Sequence, residues 1–200
     1  MNDLPIGYRP NVGVCLVNSD DRVPCNSHLY LFLMGLSFQI FVVSRLNVPG
    51  AWQMPQVFTF MANISALEEM FGVQGSIEDG EDPMTAALRE LQEDTGIVSA
   101  QFVAEVPKWL TYEFPLAVKA KVNRLWGGEW HGQAQKWFLM RMTSEVEVDP
   151  EFAEWKWASP DEVVEQAVDY KRPMYAEVIR AFKPYLHDNG LVAKCQSAKW

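Results

Sequence analysis

Apolar and polar positions alternate along this chain in two rhythms, and each predicts an element. Asn11 to Asn18 (NVGVCLVN) is an apolar run rich in β-branched residues and bounded by polar ones, which predicts a buried strand. Phe41-Val-Val-Ser44 predicts a second, and Trp52-Gln-Met-Pro55 a short strand stopped by its proline. A helix is signalled from Asp82, an N-cap residue with Pro83 at the first helical position. It runs through Ala86, Ala87, Leu88 and Leu91 to a stop at Gly96. Gln101 to Val106, Lys136 to Met142 and the alternating Glu154-Trp-Lys-Trp157 read as further strands. Ser159-Pro-Asp-Glu162 has the cap chemistry of a helix start, and Lys171 to Leu186 reads as a final helix with Pro173 near its start. Residues 187–200 carry little pattern and are expected to form a flexible tail. Mixed strands flanked by helices predict a single α/β domain over 7–186.

One stretch breaks the rhythm. Between Arg22 and Arg45 there is no Asp, Glu, Lys or Arg. A spanning helix needs roughly 20 predominantly apolar residues, so 23–44 reaches that length only with its polar end, Pro24 to His28, included. A membrane anchor is the weaker reading. An inserted hydrophobic segment or a buried strand pair is the expectation, with no membrane partner.

Composition narrows the function classes. The 200 residues suit one domain with a proper core, and 48% hydrophobic with 22% charged residues is ordinary for a globular chain. The eight tryptophans are numerous, and packing is the expected use of most. A net charge of −9, with only short basic stretches such as Lys171-Arg172, argues against binding DNA or RNA through the backbone. An anionic ligand must be met locally. Three cysteines, Cys15, Cys25 and Cys195, form no CxxC and indicate neither disulfides nor zinc, as in a reducing compartment. The stretch MNDLPIGYRPN lacks the basic and apolar regions of a signal peptide, so a cytoplasmic protein is expected.

The chemistry concentrates on the helix after Asp82. Glu90, Glu93 and Asp94 stand at i, i+3 and i+4, which stacks three carboxylates on one face opposite an apolar one. Such a row is self-repelling. A solvated acidic face would tolerate it, and hard divalent cations such as Mg²⁺, which prefer oxygen ligands, would relieve it.

The spacing is specific. Gly75-x5-Glu81-x7-Arg89-Glu90-Leu91-x-Glu93-Asp94-x-Gly96-Ile97 resembles the Nudix box, Gly-x5-Glu-x7-Arg-Glu-U-x-Glu-Glu-x-Gly-U with U apolar, and departs from it only at Asp94. The segments Gly7-Tyr-Arg-Pro-Asn-Val-Gly13, Trp52-Gln-Met-Pro-Gln56, Trp109-Leu-Thr-Tyr112, Gly132-Gln-Ala-Gln-Lys-Trp-Phe138, Glu151-Phe-Ala-Glu-Trp-Lys-Trp157 and Tyr170-Lys-Arg-Pro173 resemble the branch holding plant diadenosine polyphosphate hydrolases and bacterial RNA pyrophosphohydrolases. Val122 to His131 and the ending Ala193 to Trp200 look closest to a plant cytosolic member of that branch.

The resemblance implies an α/β/α sandwich around a mixed sheet. It implies Mg²⁺ or Mn²⁺ held by Glu90, Glu93 and Asp94, with the Gly75 carbonyl and a downstream acid, Glu145 or Glu147, as further ligands. It makes a box glutamate the general base and Arg89 a brace for a box carboxylate or a phosphate contact. Arg9, Lys136 and Lys171 are the candidate phosphate cations, Gln53 a further substrate contact, and Tyr112 and Phe152 candidate stacking platforms for an adenine. The implied reaction is hydrolysis of a phosphoanhydride in a dinucleoside polyphosphate by metal-activated water. RNA 5′-pyrophosphohydrolysis is the close alternative, and a catalytically impaired nucleotide-binding Nudix fold is the alternative of another class.

Two departures bear on activity. Relatives run Trp-Gln-Met-Pro-Gln straight into Gly-Gly-Ile, whereas here 57–74 intervene, and 23–39 break the chain in the same way after Asp20-Asp21-Arg22. Both segments begin with Val and end with Gln, whose codons can supply the GT and AG of an intron's ends. The hypothesis is that both are retained introns read in frame, and a mature transcript encoding them would overturn it. Asp94 is one methylene shorter than the expected glutamate, which predicts weakened metal ligation and turnover, since misplacement by about 1 Å can cost on the order of 100-fold.

Overall fold

The computed structural model describes residues 3–17, 40–45, 52–54, 77–78, 80–143 and 152–187. Among the described residues, seven strands form one sheet: β1 (Tyr8–Val17), β2 (Ile40–Arg45), β3 (Trp52–Gln53), β4 (Ala100–Glu105), β5 (Leu110–Glu113), β6 (Gly132–Met142) and β7 (Phe152–Ala158). Its centre is the parallel pair β1–β6, in register from Tyr8 opposite Gly132 to Val17 opposite Arg141. β4 and β5 both pair antiparallel with β6, one beside each half of it. β2 joins β1 antiparallel at Val17–Ile40 and pairs antiparallel with β3 and β7. The sheet is therefore mixed, as expected.

Side chains alternate across a strand, so the β1–β6 pair feeds two cores. Val12, Val14, Leu16, Phe138 and Met140 pack against Ala86, Ala87 and Leu91 of α1 (Pro83–Thr95). Cys15, Val17, Trp137 and Leu139 meet helices on the other face. These are α2 (Leu116–Trp126) through Val122, α3 (Pro160–Gln166) through Val163, and α4 (Arg172–His187) through Tyr175, Val178 and Phe182. The result is the α/β/α sandwich. Gly13 shows why one motif glycine is needed. It lies opposite Trp137, and a Cβ there would come within 2.7 Å of the indole.

Several boundaries differ from the sequence-based expectation. β1 starts at Tyr8 rather than Asn11, and β6 at Gly132 rather than Lys136. β5 and α2 were not expected. Ile40–Arg45 is a sheet strand, which removes the end of the 23–44 stretch from any spanning helix. Among the described residues, no helix is long and apolar enough to cross a membrane. The 23–39 and 57–74 segments and residues 188–200 lie outside the described residues.

Candidate functional site

α1 is placed by strong local signals. The Asp82 carboxylate accepts from the N–H groups of Met84 (3.1 Å) and Thr85 (3.3 Å), and Pro83 takes the first turn. Gly96 ends the helix in the left-handed region, its N–H donating to the Gln92 carbonyl. With Ala86, Ala87 and Leu91 buried against the sheet, the helix cannot rotate, so its acidic face is fixed.

Arg89 gathers the carboxylates. Its Nε and Nη2 donate to the two oxygens of Glu81 at 3.0 and 2.8 Å, while Nη1 donates to Glu90 at 2.5 Å and to Glu93 at 3.0 Å. Glu81 also accepts from the Glu78 N–H at 3.0 Å, closing the turn that leads into the helix. Glu90 is only 4% exposed, and a buried carboxylate is costly unless paired. Arg89 answers that cost. The Glu81 carboxyl is held below its usual range chiefly by the Arg89 hydrogen bond, and the Arg89 guanidinium is pushed up by the same contact. Glu81 was read only as a motif position, although its fixed spacing from Arg89 was the signal for a bidentate partner.

Glu90 and Glu93 share one face of α1, and each offers Arg89 one oxygen, so the hard oxygen donors suit a divalent cation. Among the described residues there is no group of three or more acids, histidines or cysteines arranged to hold a metal. Asp94 is on α1, but its side chain lies outside the described residues, as do Gly75, Glu145 and Glu147.

A second polar cluster occupies the opposite face. Asn11, Gln133 and Gln135 are fully buried, Lys171 is 3% exposed and Tyr112 is 4% exposed. The Tyr112 hydroxyl donates to Gln133 Oε1 at 2.6 Å, and Gln135 Nε2 donates to the same oxygen at 3.2 Å and toward Asn11 Oδ1 at 3.5 Å. The Lys171 ammonium lies 5.4 Å from the Tyr112 ring centroid. Arg9, half-buried, lies over the Trp126 ring at 4.1 Å. Burial pulls the Arg9 pKa down, partly offset by Tyr112, and burial pushes the Tyr112 phenol well up, so that it stays a donor at neutral pH. The Gln133 amide nitrogen has no hydrogen-bond partner among the described residues. Such an orphaned donor costs about 1–3 kcal/mol and favours an incoming acceptor. The sequence reading missed the glutamines, although two polar residues alternating into an apolar strand were visible at Gln133 and Gln135.

The structure thus brings together Arg89, Glu90 and Glu93 on one side, and Arg9, Tyr112 and Lys171 on the other. Lys136 joins neither cluster. It alternates onto the α1 face, where its ammonium donates to the Pro107 carbonyl at 2.7 Å. Gln53 sits on β3, with β2 between it and β1. Tyr112 is no open stacking platform: its ring packs at 5.7 Å against both Phe114 and Tyr170, inside the core. Phe152 opens β7 opposite Arg45, and its side chain lies outside the described residues.

Comparison with known proteins adds the ancestry. A family model described as NUDIX domain matches residues 7–178. The chain is 59% identical to Nudix hydrolase 25 of Arabidopsis thaliana, over all of both chains. It is 44% identical to the chloroplastic Nudix hydrolase 26 of the same plant, over 93% of this chain and 74% of that one. An RNA pyrophosphohydrolase of Cereibacter sphaeroides is 37% identical, over 93% and 97%. Among solved structures, the E. coli dihydroneopterin triphosphate pyrophosphohydrolase superposes with a TM-score of 0.55 at 14% identity, covering 87% of this chain and 98% of that one. The C. elegans Ap4A hydrolase superposes at 0.53 and 16%, covering 90% and 98%. At such identities these two show a shared fold alone.

Proposed function

We propose that this chain, which belongs to the Nudix family and acts on pyrophosphate-type bonds, hydrolyses dinucleoside polyphosphates such as diadenosine tetraphosphate and pentaphosphate to mononucleotides. The observation that carries the reading is the acidic face of α1: Glu90 and Glu93 side by side, locked by Arg89.

Glu90, Glu93 and Asp94 are the proposed holders of Mg²⁺ or Mn²⁺, joined by the Gly75 carbonyl and by Glu145 or Glu147. A divalent cation bound there supplies Lewis acidity toward a phosphoryl oxygen and acidifies water. Arg89 fixes the rotamers of Glu90 and Glu93 through a single guanidinium. Glu93 is the more exposed of the two glutamates and is the proposed acceptor of the attacking water's proton. Arg9, Lys171 and the Gln133 amide are donors for the phosphate chain; Gln53 and Phe152 remain proposed contacts nearer the nucleoside. An enclosed donor set suits the compact phosphates of a small substrate better than a long backbone, and the net charge of −9 agrees.

RNA 5′-pyrophosphohydrolysis is the second reading, favoured by the name of the C. sphaeroides relative. Asp94 in place of the box glutamate favours a third, a nucleotide binder with impaired turnover. Product analysis with diadenosine tetraphosphate, diadenosine pentaphosphate and 5′-triphosphorylated RNA, in Mg²⁺ and in Mn²⁺, separates them. It is run on the full chain and on a variant lacking 23–39 and 57–74. ATP plus AMP from the tetraphosphate is the expected product, release of pyrophosphate from RNA alone would replace it with the second reading, and binding without turnover in both chains would leave only the third. The proposed compartment is the cytosol. A fluorescent fusion found in plastids would overturn it.

A further inference from the structure

We propose that Tyr112 is a positioning residue for the phosphate chain: its hydroxyl holds the Gln133 carboxamide with the oxygen spent inside the fold and the NH₂ group left to a phosphate oxygen. The proposal rests on the reading of the Gln133 amide as a phosphate donor and goes beyond it by assigning what sets the amide's orientation.

Strand register brings the two side chains together. Gln133 lies on β6 between Arg9 of β1 and Tyr112 of β5, its register partners on either side. Gly132 permits the close approach of β5, because a Cβ there would lie 1.8 Å from the Tyr112 carbonyl oxygen. The Tyr112 ring packs edge-on against Phe114 and tilted against Tyr170, each at 5.7 Å, so its hydroxyl has a fixed place in the core. Burial keeps the phenol protonated, and it therefore meets Gln133 as a donor.

A carboxamide fits a pocket of its own shape either way round, with oxygen and nitrogen exchanged. Here two donors decide. The Tyr112 hydroxyl at 2.6 Å and Gln135 Nε2 at 3.2 Å both donate to Gln133 Oε1, which engages both lone pairs of that oxygen. Turning the amide over would set two NH₂ groups against each other. It would also leave the Tyr112 hydroxyl proton without an acceptor among the described residues. The Gln133 nitrogen is fully buried and has no hydrogen-bond partner among the described residues. An unmet buried donor is costly, and a phosphate oxygen is an acceptor that satisfies it. Phenylalanine at 112 would fill the same space without holding the oxygen.

The test is the dissociation constant for ATP and for inorganic tripolyphosphate, measured by calorimetry in EDTA so that neither metal nor turnover contributes. Circular dichroism and thermal melts accompany each variant. Proton–nitrogen NMR spectra follow the Gln133 side-chain NH₂ pair, identified by its loss in Gln133→Met. In the parent that pair should shift when either ligand is added. Gln133→Met is expected to weaken both ligands about 5- to 10-fold and Tyr112→Phe about 2- to 5-fold, the range of one net hydrogen bond. The ligand-induced shift of the NH₂ pair should shrink in Tyr112→Phe, a change that lost packing alone would not cause. Adding Tyr112→Phe to Gln133→Met should weaken binding no further, because the tyrosine acts only through the glutamine. Parent-like binding and a parent-like shift in Tyr112→Phe, beside a weakened Gln133→Met, overturn the positioning role and leave the phosphate reading of Gln133 standing. Additive losses in the double variant overturn it too, as does a loss for ATP without one for tripolyphosphate. No effect of Gln133→Met overturns the phosphate reading of Gln133 and the proposal with it. If Tyr112→Phe does not fold, the parent spectra decide. A close contact between the Tyr112 hydroxyl proton and the Gln133 NH₂ protons means a reversed amide and overturns the proposal; contact with the Gln135 NH₂ alone sustains it.

Discussion

The two polar clusters flank the same pair of central strands and are stabilised by opposite means. On the α1 face, Glu81, Glu90 and Glu93 converge on one arginine, so negative charge is gathered and only partly offset within a single helix and its entry turn. On the other face, Asn11, Gln133, Gln135 and Tyr112 form a chain of neutral hydrogen bonds, with Arg9 and Lys171 against aromatic rings. The first cluster is rich in acceptors and suits a cation; the second is rich in donors and suits an anion. Pairing carboxylates with one arginine keeps their oxygens gathered for a cation, whereas aromatic faces hold Arg9 and Lys171 beside the neutral hydrogen-bond chain.

The most severe way to break this division is to remove an acid. Glu93→Gln keeps the shape of α1 and removes a metal ligand and the proposed base. A fall in kcat of about 100- to 10,000-fold is expected, with circular dichroism unchanged; a fall under about 3-fold would show that Glu93 is only a solvated surface charge. The donor face is challenged by Lys171→Met, a substitution of similar length that deletes the charge. KM for diadenosine tetraphosphate should rise about 10-fold or more with kcat little changed. Equal losses in both parameters would instead place Lys171 in transition-state binding. Asp94→Glu sharpens the comparison from the other direction, by restoring the reach of the third carboxylate. Turnover should rise up to about 10-fold, and no gain across a range of Mg²⁺ and Mn²⁺ concentrations would refute the account of weakened ligation. The smallest effect is expected at Glu81. Its folded pKa lies below its ordinary value of 4.5, so its contribution to stability is present above about 4.5 and is lost as pH falls through the folded value. Between pH 3 and 7, melting temperatures of Glu81→Gln should lie a few degrees below the parent at neutral pH and converge with it in acid. Parallel curves would show that the clamp is not ionic.

The two clusters also differ in how much of each could be read from the chain. The Arg89–Glu81 contact spans 8 residues, all within one motif, and both caps of α1 announce themselves at Asp82, Pro83 and Gly96. The opposite cluster joins residues as distant as Asn11 and Gln135, 124 positions apart, and only the parallel register of β1 and β6 brings them together. β6 was read short because Gln133 and Gln135, though buried, look polar and mask the strand signal. α2 escaped for a related reason. It starts at Pro115 without a side-chain cap and, among its described side chains, sends only Val122 fully into the core, so its apolar signal is weak. Trp126 therefore looked like one packing tryptophan among eight.

The pairing of Val17 with Ile40 has a consequence for the history of this gene and for its engineering. Two residues in a ladder hold the ends of the intervening chain within a strand spacing of each other, whatever lies between them. Doubling the length of such a connection costs only about 0.6 kcal/mol in closure entropy. A splicing error or a transposed fragment that kept the reading frame could enter there and leave the sheet intact. The same junction would be a natural port for a reporter domain.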